Sequence, residues 1–306
     1  AQRTRGGISH LFLKSECYPT MQVKIIADSC SHEGKRITTF QLRYPRFIHS
    51  EVMTHRVFSR NASSSRAIPV IKLINQVEAN PAMPVHWGKN QAGMQAWEEV
   101  NEYKKELARE AWLEAAKNAV NTARFMADDL GLHKQVVNRI LEPFQFIEVV
   151  LTATSFDNFF ELRHHEDADP TIFALTALMK AALEKSIPVL LAPNEWHLPY
   201  ILDEEREKYP TDILLQVSAA RCCRVSYLRH DGKAPDIQKD IRLCEKLVGS
   251  EPLHASPFEH QATPDIRNPW LVKLFKGEWQ NKHLHGNFDG FVQHRKLIEL
   301  QFKEAA

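Results

Sequence analysis

Apolar residues recur every three or four positions between about Met94 and Leu130, and this stripe constrains the fold more than any other feature of the chain. Spacing of this kind is typical of a long amphipathic helix. The stripe consists of Trp97, Val100, Leu107, Ala111, Ala115, Ala119, Phe125 or Met126, and Leu130. Gly131 follows as a natural stop signal. The charged residues between these positions give the helix a solvent face.

Strand signals precede this helix. Residues 21–27 mix β-branched and other apolar side chains, and residues 36–44 have the same character, so we predict a hairpin across the turn-like residues 29–35. Residues 46–56 carry apolar residues at helical spacing, which predicts a short helix. Hairpin strands with several helices and no regular strand-helix alternation indicate an α+β fold, with a mixed sheet and long helices.

A further helix is indicated by Asp169-Pro170, an N-cap residue followed by a first-turn proline, and it should extend through about Lys185. Its buried stripe is predicted at the following positions: Ile172, Leu175, Leu178 or Met179, and Ala182.

Length and composition describe an ordinary globular protein. The chain has 306 residues, 43% of them hydrophobic and 25% charged, which fits one large domain or two small ones. A formal net charge of +1 provides no global field for gathering nucleic acid. No run approaches 18 consecutive apolar residues, and the first residues lack the apolar core of a signal peptide. We therefore expect a cytoplasmic protein with no membrane contact and small-molecule partners.

The five cysteines are odd in number and include no Cys-x-x-Cys pair, so neither a disulfide framework nor a zinc ribbon is indicated. We expect reduced thiols. The tract His164-His165-Glu166-Asp167 could supply metal ligands, but adjacent helical residues point in different directions, so no metal site is predicted.

Residues 41–69 carry a dense set of anion-binding side chains. Charged fork donors come from Arg56, Arg60 and Arg66, and short donors come from Ser59, Asn61, Ser63, Ser64 and Ser65. Together they suit a phosphate group. A solvated polar loop whose serines bond to their own backbone is the alternative explanation of such a run.

The spacing favours a site. His55-Arg56, two residues, Ser59, four residues, Ser64, one residue and Arg66 form a pattern that resembles the signature of the flavin-dependent thymidylate synthases. That signature begins Arg-His-Arg, whereas this chain has Thr54 at the first position. Ala62 stands where better-known members carry a glutamate.

Two later stretches resemble further motifs of the same family. Arg139 lies four residues before Pro143, and residues 155–163 read Ser-Phe-Asp-Asn-Phe-Phe-Glu-Leu-Arg, ending at Arg163. Thr152 and Thr154 stand where relatives have Asn and Arg. The alternative is that Arg139 and Arg163 are structural arginines held in salt bridges.

The remaining motifs occur out of order. Residues 218–227 resemble a segment found near the amino terminus of usual members, and residues 254–260, His-Ala-Ser-Pro-Phe-Glu-His, resemble the family's Thr-Pro-Phe-Glu-His element. We infer a circularly permuted relative. A permuted chain can fold when the chain termini lie close together on a surface. Residues 218–260 should then lie against residues 41–66. Gln293 and Arg295 are weaker site candidates in residues 286–296.

The resemblance implies one domain over residues 1–306 with a flavin-dependent thymidylate synthase-like fold, converting dUMP to dTMP. It implies FAD, NADPH as reductant, methylenetetrahydrofolate as one-carbon donor, and a homotetramer. Arg163 and Ser64 would be the catalytic residues, with Arg163 stabilising a uracil that loses its ring-nitrogen proton. Nucleotide-binding residues would be Glu51, Ser64, Ser65, Arg66, Arg139, Arg163 and Gln293. Cofactor-binding residues would be His55, Arg56, Asn158, Ser226, His254 and Ser256.

Two alternatives remain open at this stage. Thr54 and Ala62 could change the outcome on the same fold to hydroxymethylation of dUMP or dCMP. A non-enzymatic nucleic-acid-binding protein that grips phosphate with the Ser/Arg loop is the alternative from another class, and the near-zero net charge argues against it.

Overall fold

The computed structural model describes residues 21–225, 236–267 and 278–305. Within them the strands are β1 (Gln22–Ser31), β2 (Arg36–Pro45), β3 (Ser59–Ala62), β4 (Phe146–Ala153), β5 (Val189–Leu191), β6 (Ala262–Pro264) and β7 (Phe291–Gln293). The helices are α1 (His49–Met53), α2 (Val70–Ala79), α3 (Glu102–Arg124), α4 (Lys134–Val137), α5 (Asp157–Arg163), α6 (Pro170–Lys185), α7 (Asp203–Lys208), α8 (Thr211–Cys223), α9 (Ile237–Val248) and α10 (His294–Ala305). No helix among these residues is both long and apolar enough to cross a membrane.

Five strands form the main sheet in the order β3-β4-β2-β1-β5. The predicted hairpin is confirmed, since β1 and β2 pair antiparallel with Gln22 opposite Arg43. β4 pairs antiparallel with both β2 and β3, whereas β5 runs parallel to β1. The sheet is therefore mixed, and the predicted α+β class with long helices is confirmed. β6 and β7 form a separate antiparallel pair.

Both faces of the sheet are covered. Successive strand residues point to opposite sides, so neighbouring residues of β4 pack in different core clusters. Val149 and Leu151 of β4 belong to the large core cluster that includes Ile172 of α6. Val150, between them, clusters instead with Cys222 at the end of α8. All of these side chains are almost fully buried. The sheet is thus a middle layer, with α6 on one face and α8 on the other.

The long helix is shorter than its apolar stripe predicts. α3 begins at Glu102, where the side chain of Asn101 caps it by accepting from the Lys104 amide, and residues before it bond to an earlier segment instead: Val100 N–H donates to Trp87 O at 2.9 Å. The buried residues of α3 are Ala116, Ala119, Val120 and Ala123, which pack on α2. The prediction that the helix begins at about Met94 is therefore wrong. A π-helical turn follows α3, and this helical segment ends near Gly131, whose φ of +63° suits glycine.

The helix predicted from Asp169-Pro170 is confirmed. Asp169 Oδ1 accepts hydrogen bonds from the amides of Thr171 and Ile172, and α6 extends to Lys185. Ile172, Leu175 and Met179 are buried as predicted.

A chain of buried hydrogen bonds crosses the sheet through two histidines. Ser29 Oγ lies 2.9 Å from His197 Nδ1, and Thr39 Oγ1 lies 2.7 Å from His197 Nε2. Thr39 is also 2.7 Å from Thr152, which lies 2.8 Å from His260 Nδ1. Burial lowers the pKa of His197 and of His260 to about 3 in each case, so both rings are neutral in the folded protein near pH 7.

We expect these histidines to cause acid sensitivity. Between their folded pKa of about 3 and the ordinary value of 6.5, the unfolded chain binds more protons than the folded one. The free energy of unfolding is therefore fully supported above pH 6.5 and falls as the pH drops towards 3, by up to about 1.4 kcal/mol per pH unit for each histidine. Replacing His197 with Gln should reduce that slope.

Chemical denaturation at several pH values between about 4 and 7 measures the slope. His165→Gln is the matched control, because the His165 side chain is 54% exposed. Equal slopes for His197→Gln and the unmodified protein would contradict the assignment.

Candidate active site

A tight turn after β2 positions the first part of the site. Residues Arg46–Ile48 form one 3-10 turn that continues directly into α1. Ile48 and Val52 are buried and anchor this turn to the core. Arg46 and Glu51 stay partly exposed at its two ends. The turn therefore presents one cation and one carboxylate to solvent from a rigid base.

Arg163, the last residue of α5, is bound by three residues at the end of α1. Its Nη1 donates to Glu51 Oε2 at 2.8 Å, its Nε to His55 Nε2 at 3.2 Å, and its Nη2 to Thr54 Oγ1 at 3.2 Å. The Arg163 and Glu51 side chains are 22% and 33% exposed, so the pair is open to a ligand. Two motifs more than a hundred residues apart in sequence thus form one cluster.

His55 is a buried, neutral member of this cluster. Its ring stacks on Phe58 with centroids 5.8 Å apart and meets the edge of Phe159 at 4.8 Å. Burial, and then the positive charges of Arg163 and Arg60, lower its pKa. A neutral ring can use Nε2 as an acceptor, which is the role that the bond from Arg163 requires. His55 therefore orients Arg163.

The Ser/Arg loop takes its shape from residues around α4. Buried Asn138 donates through Nδ2 to Ser65 O at 2.6 Å and to Ile68 O at 2.9 Å. Lys134 Nζ donates to Ala67 O at 3.0 Å. Residues outside the loop thus hold three of its backbone carbonyl groups, at Ser65, Ala67 and Ile68.

The carboxylate of Glu142 marks a group of anion-binding side chains beside this loop. Its Oε1 accepts from Ser65 Oγ at 2.7 Å and from Arg139 Nη1 at 2.9 Å, and it lies 3.1 Å from Arg46 Nη2. Three donors that converge on one carboxylate oxygen make an anion-binding group. Arg139 is 54% exposed and paired on the surface. Arg46 and Glu142 were not predicted as site residues. Glu142 lies between Arg139 and Pro143, and Arg46 is five residues before Glu51.

The other predicted residues occupy several places. Ser64 is half-buried, and Arg66 and Arg56 are exposed. Asn158 is exposed in the first turn of α5, and His254 and Ser256 are exposed near the Pro-Phe-Glu-His element. Ser226 lies outside the described residues.

The segments with displaced motifs lie against β3, as the permuted order predicts. Asn61 Nδ2 donates to Cys222 O at 3.3 Å. Buried Gln293 donates through Nε2 to Asn287 Oδ1 at 2.8 Å and to Glu259 O at 3.3 Å, and its Nε2 also lies 3.4 Å from Ser59 Oγ. Gln293 thus joins the Ser/Arg segment to the carboxyl-terminal part of the chain.

Burial disfavours a nucleophilic role for the two adjacent cysteines. Burial raises the pKa of the Cys222 and Cys223 thiols, and thiols held protonated near neutral pH are poor nucleophiles. Among the described residues no three His, Cys, Asp or Glu side chains are grouped as a metal site.

Comparison with known proteins gives structural neighbours only. No family model matches the sequence, and no curated protein matches it. The UMP/dUMP methylase PolB from Streptomyces cacaoi, solved with 5-Br UMP, is 16% identical with a TM-score of 0.46, over 56% of this chain and 90% of that one. The flavin-dependent thymidylate synthase ThyX from Helicobacter pylori, complexed with FAD and dUMP, is 16% identical with a TM-score of 0.34, over 48% and 67%.

Each TM-score lies below 0.5, so we infer the function from the sequence motifs and the contacts of this chain.

Proposed function

We propose that this chain transfers a one-carbon unit to carbon 5 of a pyrimidine deoxynucleotide, with dUMP to dTMP as the expected reaction. The observation that carries the proposal is the binding of Arg163 by Glu51, Thr54 and His55. It joins the Leu-Arg motif to the His-Arg motif in a partly open site, where a guanidinium can meet a nucleotide ring.

The turn from Arg46 to Glu51 joins two parts of the proposed nucleotide site, and its backbone advances about 8 to 10 Å between these two residues. At one end, Arg46, Ser65 and Arg139 converge on Glu142 and would hold the phosphate in its place. At the other end, Arg163 would face the ring. A nucleoside monophosphate would bind with its phosphate at the first end, beside Ser64 and Arg66, and with its ring at the second end.

Arg163 acts on charge in this proposal. A uracil that loses its ring-nitrogen proton becomes electron-rich at carbon 5, and a fixed guanidinium stabilises that negative charge. His55 keeps the guanidinium in one orientation because its neutral ring accepts from Nε. The protein thus supplies positioning and charge, which suits a reaction whose other chemistry comes from bound reactants.

The residues around Arg163 also fit a flavin cofactor. Arg56 and Asn158 are exposed donors on the two segments that form the Arg163 cluster, and Asn158 is about 8 Å along α5 from Arg163. These side chains would hold FAD, with Ser226, His254 and Ser256 contributing from the displaced segments. FAD supplies the hydride chemistry that side chains lack. NADPH as reductant, methylenetetrahydrofolate as carbon donor, a homotetramer, one domain and a cytoplasmic location belong to the same proposal.

Product analysis tests this function. The purified protein is incubated with dUMP or dCMP, methylenetetrahydrofolate, FAD and NADPH, and the nucleotide is analysed by mass spectrometry. We expect dUMP to gain the mass of one methylene group, and the protein to show flavin absorbance bands after FAD is added. Reactions lacking one component each serve as controls. No flavin binding and no modified nucleotide would refute the proposal.

Hydroxymethylation is the second candidate, and Thr54 favours it. Where the family pattern has an arginine, this chain has a hydroxyl that accepts from Arg163. Without the arginine side chain, water could reach the transferred carbon and capture it as a hydroxymethyl group. A mass gain of one methylene group plus one oxygen, on dUMP or on dCMP alone, would select this product.

A further inference from the structure

Arg163 and Glu51 form a donor and an acceptor side by side. The guanidinium has five N–H groups, and the bonds to Glu51, Thr54 and His55 use three of them among the described residues. Two N–H groups remain for a ligand. The Glu51 carboxylate accepts from Arg163 through Oε2 and is one-third exposed. The edge of a ring bound against this pair would face a hydrogen-bond donor beside a hydrogen-bond acceptor.

The uracil ring has a matching edge. Its imide group presents an N–H donor between two carbonyl acceptors. A guanidinium can donate to a carbonyl oxygen while the neighbouring carboxylate accepts from the N–H. The pair therefore fits the edge of the ring that carries the acidic proton, without any further residue.

We propose that Glu51 is the catalytic base that removes the imide proton of the bound pyrimidine ring. This inference rests on the proposed function, because it assigns the proton transfer within that reaction. The ring N–H bond breaks, and the proton forms a bond to a carboxylate oxygen of Glu51. The electron pair stays on the ring and spreads over its nitrogen and carbonyl oxygens, where Arg163 stabilises it.

The surroundings of Glu51 suit a proton acceptor better than those of Glu142. Glu142 Oε1 is engaged by three donors from Ser65, Arg139 and Arg46. Among the described residues, Glu51 pairs with one charged group, Arg163, and the negative charge of Asp169 at the start of α6 also acts on it.

Burial, and then Asp169, raise the pKa of Glu51, and Arg163 opposes this shift. A carboxylate with a raised pKa is a stronger base, which favours proton transfer from a weakly acidic ring.

Replacing Glu51 with Gln tests the role. Glutamine keeps the size and an acceptor oxygen but cannot take up the proton. We expect dUMP affinity to stay within about threefold and turnover to fall by about 10²-fold or more. Residual turnover should rise with pH, because solvent hydroxide then removes the proton. Glu51→Asp should recover part of the activity.

The ultraviolet spectrum of bound dUMP provides a readout that is independent of turnover. The ring absorbs differently as an anion, so formation of the anion can be followed after rapid mixing. The anion should form more slowly on Glu51→Gln than on the unmodified protein, because the variant lacks the base. Glu78→Gln is the matched control. Glu78 also pairs with an arginine, through two bonds from Arg124 at 2.7 and 2.8 Å, but on the exposed surface between α2 and α3.

The outcomes are distinct. Unchanged turnover in Glu51→Gln, or equal rates of ring-anion formation in both proteins, would overturn the inference while leaving the proposed function intact. Loss of dUMP binding in step with turnover would assign Glu51 to binding alone and also overturn it. Absence of any reaction with dUMP in the unmodified protein would refute the proposed function and the inference with it.

Discussion

Replacing Arg163 with Ala is expected to lower turnover by about 10²- to 10³-fold, the usual effect of removing one fixed donor from a site where charge develops. The affinity for dUMP should change much less, because the phosphate would be bound elsewhere, beside Ser65 and Arg139. The reason is geometric. Arg163 lies with Glu51 at the ring end of the proposed site, and its charge acts most strongly on the ring anion.

Three variants sharpen this expectation. Arg163→Lys keeps the charge but cannot bond to Glu51, Thr54 and His55 at once, so it should recover little activity. Arg66→Ala should mainly weaken nucleotide binding, since Arg66 belongs to the Ser/Arg loop. Arg124→Ala, which breaks a comparable pair on the surface, should change neither.

Steady-state kinetics and equilibrium binding separate the two effects. Weaker binding in Arg163→Ala with turnover retained, together with the reverse in Arg66→Ala, would invert the roles assigned to these arginines.

Replacing Arg221 with Met should give the largest loss of stability, about 3 to 5 kcal/mol in the free energy of unfolding. Arg221 on α8 donates two bonds to Glu205, at 2.6 and 2.7 Å, and one to Asp240 at 2.9 Å. The three side chains are 5%, 11% and 2% exposed. Without the guanidinium, Glu205 loses the charged partner that it has among the described residues, and Asp240 keeps Arg224, while both carboxylates stay buried.

Urea denaturation measures this loss. Arg124→Met is the matched control, because its pair with Glu78 is exposed and should contribute far less. Replacing Arg221, Glu205 and Asp240 together with apolar residues should restore much of the stability, since no uncompensated buried charge remains. A small loss in Arg221→Met, equal to that of the control, would contradict this account.

Arg221 is an example of a motif residue with a structural role. It lies in the stretch Ala-Arg-Cys-Cys-Arg-Val-Ser, which the sequence analysis connected with the flavin site through Ser226. In the structure Arg221 is almost fully buried and bonds α8 to α7 and α9. A sequence pattern identifies a residue as special without distinguishing a ligand contact from a buried ion pair.

Much of the secondary structure could be predicted because its causes are local. The hairpin follows from β-branched strands around a turn, and α6 follows from the Asp169 cap, the first-turn proline and an apolar stripe. The start of α3 could not be predicted in this way. The apolar spacing continues back to about Met94, but Val100 bonds to Trp87, and this competing contact is invisible to helical periodicity.

The sequence by itself determined the α+β class, the β1–β2 hairpin, the extent of α6 and the residue types suited to binding a nucleotide. Only the tertiary structure decided which of these residues meet. Arg163 binds Glu51 across 112 residues of chain, and Ser65, Arg139 and Arg46 converge on Glu142. Helix and turn signals act over a few neighbouring residues, whereas these contacts depend on how the sheet and its helices pack, which no local pattern encodes.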